Sequence, residues 1–317
     1  DELGAVRKLE SLLEARVVGQ SHALALIAHR IQIAKANLED PNKPKGVFLL
    51  AGPSGVGKTE TALALADTLY GGERNLVSIN MSEYQEAHSV SGLKGSPPGY
   101  IGYGEGGVLT ESVRRKPYCV LLLDEVEKAH PDVLELFFQV FDKGMLEDAE
   151  GREVDFKNTV IILTSNVGTD LIMRADEHGV TVEGKARPAT PEDLVELLRD
   201  DLQKAFKPAF LGRLTVVPYY PVKDKVLEKI VRLKLEKVRA RIQANHGAEL
   251  SYDETLVRRI TERCLDVDSG ARNADAVISD SVLMALSNEI LARMAAKKPV
   301  KSIVMKVKKG EIKVEIA

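Results

Sequence analysis

The octet Gly52-Pro53-Ser54-Gly55-Val56-Gly57-Lys58-Thr59 follows an apolar run and opens a helix-like segment. Glycines at that spacing let backbone N–H groups wrap a polyphosphate, and the helix start adds its positive end. Lys58 is placed to reach the β and γ phosphates, and the Thr59 hydroxyl to join Mg2+. A second apolar run, Leu121-Leu122-Leu123, ends in Asp124-Glu125. One carboxylate at such a strand end can hold the ion, and its neighbour can orient and deprotonate the attacking water. Asp124 takes the first role here and Glu125 the second. The two motifs together point to hydrolysis of a nucleoside triphosphate rather than to binding alone.

Other candidates stand on thinner signals. Thr164-Ser165-Asn166 closes the next apolar run. An amide there can touch the γ-phosphate or hold the lytic water, and it can equally cap a helix. Arg213 in Phe210-Leu211-Gly212-Arg213 precedes a short apolar run, and Arg272 in Ser269-Gly270-Ala271-Arg272 begins a helix-like segment. A guanidinium neutralising a transferring phosphoryl group accelerates its transfer, although any single arginine is by default a solvated charge. Lys94-Gly95-Ser96-Pro97-Pro98-Gly99-Tyr100-Ile101-Gly102-Tyr103-Gly104-Glu105-Gly106-Gly107 holds too many glycines for helix or central strand. Its tyrosines either grip something outside or tuck onto their own domain. The polar stretch from Glu147 to Glu153 either lines the same surface or is simply solvated.

These residues need a scaffold that brings them together. Five apolar runs without alternation, at 47–51, 76–80, 119–124, 160–164 and 214–219, read as strands covered on both faces. Helix-like segments at 58–70, 105–115, 131–143 and 192–206 fall between them, and two more, 5–14 and 21–36, precede them. Strand–helix alternation of this kind predicts an α/β domain with a parallel sheet in three layers. After Pro221 the pattern turns to long helices at 223–244, 253–264 and 271–295, then an alternating tail around Lys309-Gly310 that predicts a hairpin. The expected domains are 1–221 and 222–317, with 174–191 as a polar surface excursion.

Composition excludes several classes. With 44 Lys plus Arg against 47 Asp plus Glu, the net charge is −3, and no basic footprint for nucleic acid is present. Tryptophan is absent and aromatics are 5%, which argues against a base-stacking platform. No run approaches the length needed to span a bilayer, so no membrane insertion is expected. The two cysteines, Cys119 and Cys264, cannot make a disulfide framework, and a reducing, cytoplasmic setting is expected. The six histidines form no metal-ligand cluster. The chain opens at Asp1 without an initiator Met, which reads as a segment of something longer.

With these residues in view, the chain resembles the second AAA+ module of the Hsp100/Clp family of protein-remodelling ATPases, from about residue 5 to 317. The resemblance is carried by the phosphate loop, Pro97-Pro98-Gly99-Tyr100-Ile101-Gly102-Tyr103, Leu123-Asp124-Glu125-Val126-Glu127-Lys128-Ala129-His130-Pro131, Thr164-Ser165-Asn166 and Gly270-Ala271-Arg272. Phe210-Leu211-Gly212-Arg213-Leu214 with Val217-Pro218-Tyr219-Tyr220-Pro221, and Ser269 to Asp275, are similar to the ClpV branch, which serves type VI secretion. The ClpB disaggregase branch is the alternative.

The resemblance implies a large nucleotide-binding domain followed by a small α+β lid, with ATP and Mg2+ as cofactors. The octet from Gly52 to Thr59 binds the nucleotide, Asp124 and Thr59 hold the metal, and Glu125 is the base. Asn166 and Arg272 become γ-phosphate sensors, and Arg213 completes the site of a neighbouring subunit. Val17, Val18 and Ile27 line an adenine pocket or are simply core. Tyr100, with Ile101, becomes the pore residue gripping a threaded polypeptide. A homo-hexameric ring in the cytoplasm of a bacterium is implied, with the isolated segment compatible with a monomer. The substrate implied by the ClpV branch is contracted secretion sheath, disassembled for reuse. The alternative is general disaggregation and unfolding.

Overall fold

The computed structural model describes residues 2–265 and 272–316. They form two compact units, divided between Pro221 and Val222, with Ser54–Val56 grouped with the second. In the first unit, uninterrupted apolar runs become β1 (Gly46–Ala51), β2 (Leu76–Asn80) and β3 (Val120–Asp124). A hairpin of β4 (Met145–Glu147) and β5 (Glu153–Asp155) follows, then β6 (Val160–Ser165), a second hairpin of β7 (Val180–Val182) and β8 (Lys185–Arg187), and β9 (Thr215–Pro218).

The central sheet has the order β2-β3-β6-β1-β9, and all its neighbours are parallel. Both of its faces are covered. Leu49, Leu121, Leu123, Ile161 and Leu163 belong to one core cluster with Phe137, Val140 and Phe141 of the helix Pro131–Lys143 and Leu194, Leu198 and Leu202 of the helix Pro191–Ala205. The intervening Phe48, Leu50, Leu122 and Ile162 lie outside that cluster and are equally buried. The helices Ser21–Lys35 and Lys58–Tyr70 bury Leu24, Ile27 and Ile31, and Ala62, Leu65 and Leu69, also outside that cluster. Two covered faces explain why β1, β3 and β6 carry no polar alternation, whereas the edge strand β2 does alternate, with Ser78 and Asn80 exposed. Cys119 sits in this core, where burial pushes its thiol up to about 12.

Two expectations need correcting. The first helix is interrupted at Lys8, giving Glu2–Arg7 and Leu9–Glu14. The helix expected from 105 begins only at Val108, because Gly106 is left-handed and Gly107 extended. The polar excursion expected at 174–191 does lie at the surface, with 181–188 exposed. It holds the end of the helix Thr169–His178, then the β7–β8 hairpin, whose turn residues Glu183 and Gly184 both have positive φ.

The second unit contains the helices Asp224–His246 and Glu254–Leu265, and a segment from Arg272 to Ala295 that runs α, π over Ile278–Leu283, and α again. Its sheet is β10 (Glu249–Tyr252), β11 (Ser302–Lys308) and β12 (Glu311–Ile316), with β10–β11 parallel and β11–β12 antiparallel. The expected hairpin turns at Lys309-Gly310, with φ of 53° and 79°. Left-handed values at both positions suit the right-handed twist of two paired strands. β10 escapes the sequence pattern because only Leu250 of its four residues is buried. Among the described residues, no helix is long and apolar enough to cross a membrane.

Phe137 is fully buried and stacks on Phe141 at 6.0 Å between centroids. Phe137→Ala is expected to lower the unfolding free energy by about 3–5 kcal/mol in urea titrations. A loss below about 1 kcal/mol would show that this helix does not pack on the sheet as described.

Candidate active site

Strand register sets the site. β1 pairs with β6 so that Leu50 faces Thr164 and Ala51 faces Ser165, and β3 pairs with β6 through Leu123 and Leu163. Three adjacent parallel strands therefore end at one level. β1 runs into the phosphate loop, β3 ends at Asp124, and β6 leads to Asn166. Ligands of open parallel sheets bind beyond the carboxyl ends of strands where the order reverses. The reversal is present here, since β1 lies between β6 and β9 while the chain proceeds from β1 to β2.

Gly57 adopts φ of 104°, a conformation that L side chains resist, and a Cβ there would stand 3.1 Å from Val17. It ends the loop and caps the 13-residue helix that starts with Lys58. Tyr219 supports the loop from below. Its backbone oxygen lies 2.8 Å from where a Gly52 Cβ would be, and its hydroxyl pairs with Thr61 Oγ1 at 2.7 Å. Lys58 is buried, and its ammonium donates to the carbonyls of Gly52 and Pro53 and, at 3.1 Å, to Asn166 Oδ1. That contact turns the acceptor end of the Asn166 amide to Lys58 and leaves its NH2 as the donor.

The acids are held from β6. Thr164 Oγ1 donates to Asp124 Oδ1 and accepts the backbone N–H of Glu125 at 3.0 Å. Glu125 has φ of 56°. In a continuing strand, Asp124 and Glu125 would point to opposite faces. The left-handed residue breaks that alternation. Glu127 Oε1 accepts the backbone N–H of Asn166 at 3.1 Å, while its buried Oε2 has no partner among the described residues.

The chemistry of this donor set suits a nucleoside triphosphate with Mg2+. An ammonium, a glycine-rich loop and a helix start stand together where a polyphosphate would bind, and the Thr59 hydroxyl and one carboxylate would take the ion. Mg2+ is commonly held by one or two carboxylates plus substrate phosphates. Among the described residues, no cluster of three or more His, Cys, Asp or Glu side chains suited to a metal occurs.

Around the proposed adenine segment, Val17 is buried, Val18 half-buried and Ile27 without exposed surface. Residues that carry no motif hold this segment. Arg16 bonds Glu60 at 2.8 Å, Glu73 at 2.6 Å and Asp67 at 3.3 Å. Gln20 exchanges two hydrogen bonds with the backbone of Tyr220, at 2.8 and 3.0 Å. His22 Nε2 lies 2.7 Å from the Pro218 carbonyl, an acceptor, so Nε2 carries the proton; burial lowers the pKa of this ring. Thr164 carried a visible signal, a hydroxyl where an apolar run ends. Arg16 carried none, because its partners are 44 to 57 residues away.

The remaining candidates lie elsewhere. Arg213 is tied to Asp142 at 2.8 and 2.9 Å and lies over the Phe138 ring at 4.7 Å. Tyr100 and Ile101 are 70% and 101% exposed. Ser269, Gly270 and Ala271 lie outside the described residues, and Arg272 is described only as the first residue of its helix. The tip of the β4–β5 hairpin is anchored rather than merely solvated. Asp148 is almost fully buried and accepts from Arg114 at 2.7 Å, Arg152 at 3.0 Å and the backbone N–H groups of Glu150 and Arg152.

A parallel sheet of this order with a phosphate loop, a paired acid strand end and a polar residue between them defines an AAA+ P-loop ATPase. The AAA domain (Cdc48 subfamily) matches residues 43–217, and the C-terminal, D2-small domain, of ClpB protein matches residues 222–304. The chain is 54% identical over 303 residues to the AAA+ ATPase ClpV1 of Pseudomonas aeruginosa, covering 96% of this chain and 33% of that protein. It is 53% identical over 294 residues to the chaperone protein ClpB of Yersinia enterocolitica, covering 92% of this chain and 32% of that protein. A solved closed state of Hsp104 with ATPγS and FITC-casein aligns with a TM-score of 0.84 at 30% identity, covering 99% of this chain and 52% of that one. The chain belongs to the Hsp100/Clp family of AAA+ ATPases, whose cofactors are ATP and Mg2+. It spans about a third of the length of the curated relatives it matches.

Burial raises the Asp148 carboxyl, but the Arg152 and Glu150 N–H groups and both guanidinium groups outweigh it and hold the group down at about 2, against 3.8 when unperturbed. A depressed carboxyl stabilises the fold above its unfolded value, and that contribution disappears as pH falls through the folded value. The stability gap between wild type and Asp148→Asn is therefore expected to shrink between pH about 4 and about 2. A gap that stays constant across this window in chemical denaturation would contradict the assignment.

Proposed function

We propose that this chain is the second motor module of an Hsp100-type machine that remodels polypeptides by ATP-driven threading. The observation that carries the threading reading is the exposed Tyr100-Ile101 pair, set between the left-handed Gly99 and Gly102 in the unit that holds the nucleotide site. A tyrosine ring offers contact area without reading side-chain identity, which suits diverse extended chains.

In this proposal, Lys58 and the loop N–H groups hold the phosphates, and Thr59 and Asp124 hold Mg2+. The ion screens the charge of the transferring group when bound. Glu125 accepts a proton from the attacking water, and Asn166 donates from its amide NH2 to the γ-phosphate. Val17 and Val18 contact the adenine, with Ile27 behind them. Arg213 leaves Asp142 to reach the phosphate of a neighbouring subunit in a homo-hexamer. Arg272 enters on its motif alone, as the lid arginine that reads the γ-phosphate. Loss of that phosphate resets the module, and the motion is passed to Tyr100.

General unfolding and disaggregation is the favoured activity. It is supported by the ClpB relatives and by the similarity to Hsp104, whose closed state was solved with FITC-casein. A second reading, disassembly of contracted type VI secretion sheaths, is supported by the 54% identity to ClpV1. ATP turnover of the full-length protein, titrated separately with unfolded model protein and with contracted sheath, separates the two. Stimulation by unfolded protein supports disaggregation, and stimulation by sheath alone with loss of the tubules replaces it.

Glu125→Ala is expected to retain ATP and lower turnover by about 100-fold or more. Unchanged hydrolysis would remove Glu125 as the base. Tyr100→Ala should spare basal hydrolysis and abolish substrate unfolding, and normal unfolding by this variant would end the pore assignment.

A further inference from the structure

Thr164 is 2% exposed, and its hydroxyl has one proton, which it gives to Asp124 Oδ1. Its lone pair takes the Glu125 N–H at 3.0 Å. A single buried atom thus binds the carboxylate that meets the ion and the backbone of the residue that meets the water. Asp124 Oδ2 accepts no hydrogen bond among the described residues. Threonine is β-branched and stiff about χ1. The pairing of Leu50 with Thr164 on one side of β6 and of Leu123 with Leu163 on the other fixes its height in the sheet.

We propose that Thr164 is a positioning residue for both acids, an assignment that rests on the ATPase reading of this site. Its donated hydrogen bond occupies Oδ1 and stops the Asp124 carboxylate from rotating, so that only Oδ2 is presented to Mg2+. Its accepted hydrogen bond anchors Glu125 in the left-handed conformation that an ordinary residue rarely takes. The two acids then act as a pair whose spacing is set by β6 rather than by their own chain.

Thr164→Val keeps the shape and removes the hydroxyl, leaving Asp124 Oδ1 and the half-buried Glu125 N–H without their partner. Losing such a buried partner corresponds to about 10- to 100-fold in an equilibrium or a rate. The gain in ATP affinity on adding Mg2+, measured by calorimetry, is expected to fall about tenfold, and turnover by about 10- to 100-fold. Affinity for ADP without Mg2+ should stay at the wild-type value, and Thr164→Ser should recover both losses to within about threefold. Equal behaviour of Thr164→Val and wild type overturns the proposal. So does a parallel loss of Mg2+-free ADP affinity, which marks general damage to the loop. If Thr164→Val does not fold, Thr164→Ala carries the same comparison. A wild-type chain whose ATP affinity does not respond to Mg2+ would instead refute the ATPase reading itself.

Discussion

The parallel register of β3, β6 and β1 is the constraint on which the site depends. Side chains alternate with period two along a strand, so a slip of one residue exchanges every inward and outward position. Were β6 displaced by one residue against β3, Leu163 or Ser165 would stand beside Asp124, on the other face. The hydroxyl between the acids would be lost, and Asn166 would leave the level of Lys58. Ladder pairing with β1 on one side and β3 on the other holds β6 in this register, with Ile161 and Leu163 in the core cluster. Burial and catalytic alignment are thus enforced by one set of contacts.

The exposed aromatic segment obeys a different rule. Leu93 and Leu109, on either side of it, are fully buried, whereas Tyr100 and Ile101 between them are exposed. The neck is tight, since a Cβ on Gly107 would stand 2.1 Å from the Leu93 carbonyl oxygen. The backbone N–H of Ala149 bonds the Lys94 carbonyl at 3.0 Å, and Asp148 next to it holds Arg114 on the far side of the same loop. The ends of the loop share one anchored base with the β4–β5 tip. Its middle makes few buried contacts, which places it at the low-stability end of the domain. A segment anchored at the base and unsupported at the tip can move as an arm without unfolding the sheet.

Much of this was legible in the sequence, for identifiable reasons. The inner strands β1, β3 and β6 were readable because cover on both faces removes alternation, and the octet from Gly52 to Thr59 because its chemistry depends on local spacing. β10 and the β7–β8 hairpin were not, since strands of three or four mostly exposed residues carry no hydrophobic period. The Asp148 anchor looked like one acid in a polar stretch, and only the fold brings Arg114 to it. Thr164 stood inside a recognisable motif, yet its role depends on the neighbouring strand. Local motifs survive projection onto one dimension, and cross-strand partnerships do not.

Two cations of the proposed function, Lys58 and Arg213, are already engaged inside the chain. Lys58 donates to two loop carbonyls and to Asn166, and Arg213 holds a carboxylate, a carbonyl and an aromatic face. A phosphate that binds here exchanges partners and does not relieve an orphaned charge. The net gain is the difference between two good arrangements, far smaller than the bare Coulomb attraction. For Arg213 the competitor is Asp142, so its departure is favourable only where a more highly charged acceptor than one carboxylate is offered. A triphosphate meets that condition and a released diphosphate meets it less well. If Arg213 acts as proposed on a neighbouring subunit, its pairing with Asp142 would tie its position to the hydrolytic state of that site.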